Sequence, residues 1–246
     1  MKIWIVLPAY NEEKGLPPLL DSLIETFSIE KLQYEVIVVD DGSADKTLQV
    51  IKSYSDRFPV TAMGHIENLG LSETIKTGLL AAVKNAGDTD LILTMDADNT
   101  HPAGLALRMV RAIREGSDVV IASRYRDGSQ VRGLAFYRKL LSFGAAIIFR
   151  ILFPISGVRD YTCGYRVYRA KIIKDLIARY QGEFISERGF SCMVDILLRL
   201  RQFDLVFTEV PLILRYDKKQ GASKMKVAQT ILDTLKLILK RLRSND

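Results

Sequence analysis

Apolar residues fall in short blocks along the first half of the chain, and the blocks alternate with longer stretches of helical periodicity. Residues 3–7, 35–39, 60–65, 91–95 and 118–123 predict strands, and 13–26, 45–54, 71–84 and 102–114 predict the helices between them. Strands that are apolar on both faces and alternate with helices indicate an α/β fold, a mostly parallel sheet with helices on both faces. In such sheets ligands bind beyond the carboxyl ends of the strands. The polar clusters fall at those ends, at 8–13, 40–43, 96–101 and 124–127.

The second half has a different texture. Residues 134–153 predict a long apolar helix, 160–168 a strand, 189–201 a helix, and 205–216 strands interrupted at Pro211. A final amphipathic helix is predicted over 223–243. With no repeat or low-complexity linker, 1–246 reads as a single domain in which 127–246 extends a core built by 1–126.

Composition narrows the partners. The 246 residues carry a formal net charge of +6, which suits an anionic partner: nucleic acid, acidic lipid or a phosphorylated small molecule. Two cysteines, Cys163 and Cys192, supply neither a disulfide framework nor a metal-ligand spacing, and read as a protein of the reducing cytoplasm. No uncharged apolar stretch approaches the roughly 20 residues of a spanning helix. The nearest, 140–149 between Lys139 and Arg150, is long enough only for a membrane interface.

Asp96-Ala97-Asp98 follows an apolar strand. Two carboxylates at i and i+2 can converge on Mg²⁺ or Mn²⁺, ions that keep other positions for water and substrate phosphates. The same segment also reads as a helix N-cap, with Asp98 or Asn99 ahead of Pro102. Asp40-Asp41-Gly42-Ser43 can accept from a nucleotide base or ribose, or can form a turn that leads to a helix opened by Asp45. At the first strand's exit, Tyr10 can pack on a base and Glu12 accept from it; alternatively Asn11 caps a helix. Candidate phosphate cations are Arg124, Arg126, Arg138, Lys218, Lys219 and Lys224. A Gly-rich phosphate loop of the Walker or dinucleotide type is missing, which argues against ATPases and dehydrogenases. His65 and His101, the only histidines, form no Ser/His/Asp spacing.

Together, Pro8-Ala9-Tyr10-Asn11-Glu12, Asp40-Asp41-Gly42-Ser43, Asn68-Leu69-Gly70 and Asp96-Ala97-Asp98 resemble the family 2 glycosyltransferases with the GT-A fold, a Rossmann-like sheet. Ser123-Arg124-Tyr125, Arg138 with Ser142, residues 160–166, Glu209-Val210-Pro211 and Gly221-Ala222-Ser223-Lys224 resemble the dolichyl-phosphate mannosyltransferase branch. The resemblance implies that 1–126 is the nucleotide-sugar half and 127–246 the acceptor side. It implies that Pro8, Ala9, Tyr10, Glu12, Val39, Asp41 and Ala97 line the nucleotide-sugar site, and that Asp96 and Asp98 hold the metal, Mg²⁺ or Mn²⁺. Arg124, Lys218 and Lys224 would contact donor phosphates, and Arg124, Arg138 and Ser142 the acceptor phosphate. Two positions depart from the family pattern: Thr100 stands where Gln is frequent, and Lys218 where Arg is.

The implied reaction is an inverting transfer of a hexose, mannose from GDP-mannose, to a polyprenyl or dolichyl phosphate. It would run at the cytoplasmic face of the cell membrane, with peripheral membrane contact and no nucleic-acid partner. Asp160 and Asp195 are acidic candidates for sugar-hydroxyl or acceptor contacts, Asp195 equally for a structural ion pair. The alternatives are a family 2 transferase using UDP-glucose with a polyprenyl phosphate or polysaccharide, and a non-catalytic nucleotide-sugar-binding protein. In the last helix Ala228, Ile231, Leu232, Leu235, Ile238, Leu239 and Leu242 form one apolar stripe, with Arg241 at its flank. The stripe suits either an anionic membrane interface or the protein's own core.

Overall fold

The structure, a computed structural model, describes residues 1–187, 189, 191–220 and 227–243, the last stretch with side chains from 233 to 242. The first half runs β1 (Ile3–Ala9), α1 (Leu16–Ile29), β2 (Tyr34–Asp41), α2 (Thr47–Ser55), β3 (Val60–His65), α3 (Leu71–Asn85), β4 (Leu91–Thr94), α4 (Leu105–Arg114) and β5 (Val119–Ser123). All five anticipated strands are present, and apart from three half-buried residues at its ends (Pro8, Tyr34 and Glu35) every residue of β1, β2, β4 and β5 is buried. β1 pairs in parallel with β2 and β4, and Pro8 lies opposite Val39, Ala9 opposite Asp40. The two exits are therefore level, and their loops meet. Helix α1 begins three residues later than the pattern predicts, at Leu16, with proline in its first turn where a missing N–H costs nothing.

The second half runs β6 (Gln130–Arg132), α5 (Phe136–Leu152), β7 (Arg166–Arg169), α6 (Ala170–Arg179), α7 (Ser191–Leu200), β8 (Phe207–Pro211), β9 (Ile213–Arg215), a 3-10 turn at Tyr216–Lys218, and α8 (Val227–Arg243). The main sheet has the order β3-β2-β1-β4-β7-β5-β8, with β7 antiparallel to both neighbours and the other pairings parallel. β6 and β9 form a separate parallel ribbon. Among the helices packed around the sheet, α3 lies against β1, β2 and α6, and α4 against β5, β7 and β8.

Two sequence readings are corrected. The strand expected over 160–168 is only Arg166–Arg169; residues 160–165 form a loop held by side chains. The fully buried Arg166 donates from Nε to Cys163 O, from Nη1 to Met193 O and from Nη2 to Tyr161 O, so that loop bonds to an arginine rather than to a strand. Helix α4 starts at Leu105 after Gly104, so neither Asp98 nor Asn99 caps it. Instead Asp98 bonds Thr100 in a local turn, with Asn99 at a φ of 59°.

The stripe on α8, which suited either a membrane interface or the protein's own core, divides between the two. Leu235, Leu239 and Leu242 are exposed, whereas Leu237, Ile238 and Arg241 are buried. Arg241 reaches the fully buried Asp195, which also faces Arg199 at 3.5 Å and accepts from Ser186 N at 2.7 Å. A buried carboxylate needs such partners. Asp195 is thus an ion-pair anchor for α7 and α8. The side chains of Ala228, Ile231 and Leu232 lie outside the described residues.

Candidate active site

The site is built on the level exits of β1 and β2. Asn11, at a φ of 51°, turns the chain so that its N–H donates to Ser43 Oγ at 2.8 Å and its Oδ1 accepts from Ala44 N at 2.8 Å. Glu12 N donates to Thr47 Oγ1 at 2.8 Å, and Lys46 N to Glu13 Oε2 at 3.1 Å. Gly42 makes the bend between these loops possible. Its φ is +66°, and a Cβ there would lie 2.5 Å from the Glu67 backbone.

Asp40 and Asp41 are both buried. Asp40 accepts from the backbone and hydroxyl of Ser43. Asp41 Oδ1 accepts from Leu69 N at 2.9 Å and faces His65 Nδ1 at 2.7 Å, and its Oδ2 accepts from Gly70 N at 2.8 Å. Its carboxylate thereby ties the exit of β2 to the Asn68-Leu69-Gly70 loop. Ala9 and Val39 are buried in the strands, and Pro8 and Tyr10 are half-buried at the rim.

The acidic pair follows β4. Asp98 Oδ1 accepts from Thr100 N at 3.2 Å and Thr100 Oγ1 at 2.7 Å. Asp98 Oδ2 accepts from Lys219 Nζ at 2.5 Å. Burial alone would raise the Asp98 pKa, but the charges of Lys219 and His101 and the bonds from Lys219 and Thr100 hold it below the ordinary aspartate value. Asp96 is the opposite case: burial, with the Asp98 charge beside it, pushes its pKa up. Asp96 N donates to His101 Nδ1 at 3.4 Å, and the His101 ring packs 5.2 Å from that of Tyr165. Ala97 is buried between the two carboxylates. The Glu12 carboxylate closes the near side: a Cβ on Gly15 would lie 2.8 Å from Glu12 Oε2 and 3.3 Å from Asp98 Cα.

These residues fit a divalent metal. Asp98 already carries a cation on Oδ2, and Asp96 sits two residues away with a carboxyl that burial leaves short of compensating charge. Among the described residues no group of three or more His, Cys, Asp or Glu side chains gathers for a metal. A pair of carboxylates suits Mg²⁺ or Mn²⁺, which take oxygen ligands and complete their shells with water and substrate phosphate.

Of the cations expected at phosphates, Arg124 is committed to Asp160. Nε donates to Oδ2 at 2.8 Å, Nη2 to Oδ1 at 2.7 Å, and Nη2 also to Thr162 Oγ1 at 2.5 Å. Asp160 is fully buried and further accepts from the backbone N–H groups of Arg124, Thr162 and Cys163. Glu209 Oε1 holds that loop from below, accepting from Arg159 N and Asp160 N at 2.6 Å each. Asp160 is a structural anchor, contrary to the sugar contact expected of it. Its loop reaches the acidic pair through Gly164, whose carbonyl accepts from Thr94 Oγ1 at 2.7 Å and whose Cβ would lie 3.5 Å from Asp96 Oδ1.

Arg138 and Ser142 both lie on α5. Ser142 Oγ is 2.8 Å from Tyr125 OH, and Arg138 Nη1 donates to Tyr216 OH at 3.4 Å. Lys218 is exposed, and its neighbour Lys219 is the side chain on Asp98. Lys224 lies outside the described residues. Lys219 was a candidate phosphate cation from sequence, without the role at Asp98, and neither His101 nor Tyr216 was assigned to the site. A lysine pair in a short turn carries no signal for which member faces inward.

A mostly parallel sheet with paired carboxylates beyond β4 and tethered loops at the exits of β1 and β2 is the GT-A arrangement. The chain belongs to glycosyl transferase family 2, whose family model matches residues 4–177. It is 31% identical over 244 residues to the dolichol-phosphate mannosyltransferase of Pyrococcus furiosus, covering 99% of this chain and 64% of that protein. It thus spans just under two thirds of the length of that relative. It is also 29% identical over 225 residues to the polyprenol monophosphomannose synthase of Mycolicibacterium smegmatis, covering 90% of this chain and 80% of that one. Among solved structures it resembles a glucosyl-3-phosphoglycerate synthase from Mycobacterium tuberculosis in complex with Mn²⁺, UDP-glucose and phosphoglyceric acid. The TM-score is 0.67 at 19% identity, over 96% of this chain and 79% of that one. A mannosyl-3-phosphoglycerate synthase from Rubrobacter xylanophilus also gives 0.67 at 19% identity, over 100% and 75%. At such identity these structures establish the shared fold.

Proposed function

We propose that the protein transfers a hexose, mannose from GDP-mannose, to a polyprenyl phosphate, with inversion at the anomeric carbon. The observation that carries this reading is the position of Arg138 between a donor-side acidic pair and an apolar surface. Arg138 contacts Tyr216, whose ring centre is 5.4 Å from Lys219 Nζ, the group bound to Asp98. On the other side Arg138 is part of α5, a helix with only Ala146 and Phe149 buried. Phe136, Leu140 and Ile151 on that helix are 80%, 61% and 72% exposed. An acceptor with an anionic head and a long apolar tail matches both surroundings, and a soluble sugar matches neither. The two relatives with polyprenol chemistry in their names support the same acceptor class.

A phosphomonoester is anionic near neutral pH and attacks without a dedicated general base. The protein's work is to bring two anions together and offset their repulsion. Arg138 and Ser142 receive the acceptor phosphate; Glu12, Asp41 and the half-buried Tyr10 shape the nucleotide side. Asp96 and Asp98 hold Mg²⁺ or Mn²⁺, which when bound supplies Lewis-acid stabilisation of the departing diphosphate. Arg124 acts by holding Asp160 and its loop beside Asp96. The protein works as a peripheral protein at the cytoplasmic membrane face, its α5 surface in the interface. No helix among the described residues is long and apolar enough to cross a membrane.

Radiolabelled GDP-mannose and UDP-glucose, each tested with polyprenyl phosphate vesicles and Mn²⁺, decide the matter. Label from GDP-mannose is expected in the lipid phase, in a product released by mild acid. Label transferred only from UDP-glucose would overturn the donor, and label in neither lipid would overturn the acceptor.

A further inference from the structure

Asp98 offers its two oxygens unequally. Oδ1 is spent on Thr100, and Oδ2, the oxygen left for a metal, is occupied by the ammonium of Lys219 at 2.5 Å. The pair is enclosed, with side-chain exposures of 13% and 10%. It is also built. Arg215 N donates to Thr100 O at 2.9 Å, which fastens the end of β9 to the Asp98 turn. Lys219 N then donates to Tyr216 O at 3.2 Å, and an Arg215–Asp217 ion pair at 2.9 Å braces the turn that carries Lys219.

Resting on the donor reading above, we propose that Lys219 is the resident counter-ion of the metal site. In the metal-free protein it neutralises Asp98, so that a free divalent ion must displace an enclosed ammonium to bind. A sugar nucleotide changes that balance, because its diphosphate carries negative charge to which the displaced ammonium can transfer. Metal binding thereby becomes dependent on arrival of the donor. Two buried carboxylates two residues apart, with neither metal nor lysine, would repel in a poorly solvated site, and the lysine offsets this. Lys219 acts here as a positioning residue.

The test measures Mn²⁺ binding by the electron paramagnetic resonance of the free ion, on the whole chain and without nucleotide. Lys219→Met and Lys219→Gln are expected to bind Mn²⁺ about tenfold more tightly than wild type, because each leaves Asp98 uncompensated. Lys219→Arg, which keeps the charge, is expected to stay near wild type. Adding Asp98→Asn to Lys219→Met is expected to abolish the gain. With saturating GDP the wild type is expected to tighten and the Met variant to change little. Equal or weaker Mn²⁺ binding in both neutral variants would overturn the proposal, as would a gain that survives Asp98→Asn. Failure of GDP to tighten Mn²⁺ binding in the wild type would instead count against the nucleotide-donor reading, since the nucleotide-free comparison needs no donor.

Discussion

Arg124 and Asp160 meet in a two-point ion pair, Nε to Oδ2 at 2.8 Å and Nη2 to Oδ1 at 2.7 Å, with the carboxylate fully buried. Burial raises the Asp160 pKa, and the Arg124 charge and bonds more than reverse this, so the folded-state value lies below the ordinary one. Removing one member of such a pair leaves the other charge stranded. Asp160→Asn is therefore expected to lower unfolding stability by about 3–5 kcal/mol at pH 7, measured by urea denaturation. A depressed carboxylate pKa stabilises fully above the unfolded-state value near ~4 and loses that contribution as pH falls through the folded value. The gap between variant and wild type should accordingly close in acid. A gap that persists unchanged at pH 2 would contradict the ion-pair assignment.

Asp98→Asn is expected to lower turnover roughly hundredfold or more, since several kcal/mol of transition-state stabilisation go with the metal contact. Its circular dichroism should match wild type, because the residue sits in a loop. Undiminished turnover would remove Asp98 from the site.

Arg138→Ala should separate acceptor from donor. The KM for polyprenyl phosphate is expected to rise, and calorimetric affinity for GDP to stay within about twofold, a difference of less than 0.5 kcal/mol. A parallel loss of GDP affinity would refute the division between the two sides of Tyr216.

Burial pushes the thiols of Cys163 and Cys192 up to about 12. A raised thiol pKa means the protonated, unreactive form at neutral pH. Both are expected to resist a disulfide reagent at pH 8 in the native protein and to react promptly in guanidinium. Rapid native labelling of either would show that the segment around it opens.

Ile151 is 72% exposed on α5, so Ile151→Asp should change stability by no more than about 0.5 kcal/mol. Its binding to anionic lipid vesicles should nevertheless fall about tenfold, because one apolar side chain leaves the interface and a repelled charge enters. Unchanged sedimentation with vesicles would exclude α5 from membrane contact.

Where a segment's own chemistry decided its structure, the chain could be read directly. The runs of β1, β2, β4 and β5 are buried on both faces, so apolar continuity alone marked them, and the polar residues closing each run had to lie at the strand ends. β7 is different. Residues 160–168 are apolar enough for a strand, but the loop over 160–165 is held by Arg166, Arg124 and Glu209, partners distant in sequence or hidden by their charge. The unpredicted α6 follows immediately, its Ile172, Ile173 and Leu176 buried at helical spacing.

The sequence by itself determined the family, the alternating strand–helix order and the acidic pair after β4, because these rest on periodicity and on short motifs whose residues are neighbours. Only the tertiary structure decided that β7 enters the sheet between β4 and β5, that Arg124 answers Asp160, that Arg241 ties α8 to Asp195, and that Lys219 rather than Lys218 meets Asp98. Each of these outcomes satisfies a buried charge or backbone group with a partner brought close by the fold, and separation along a chain carries no record of that distance.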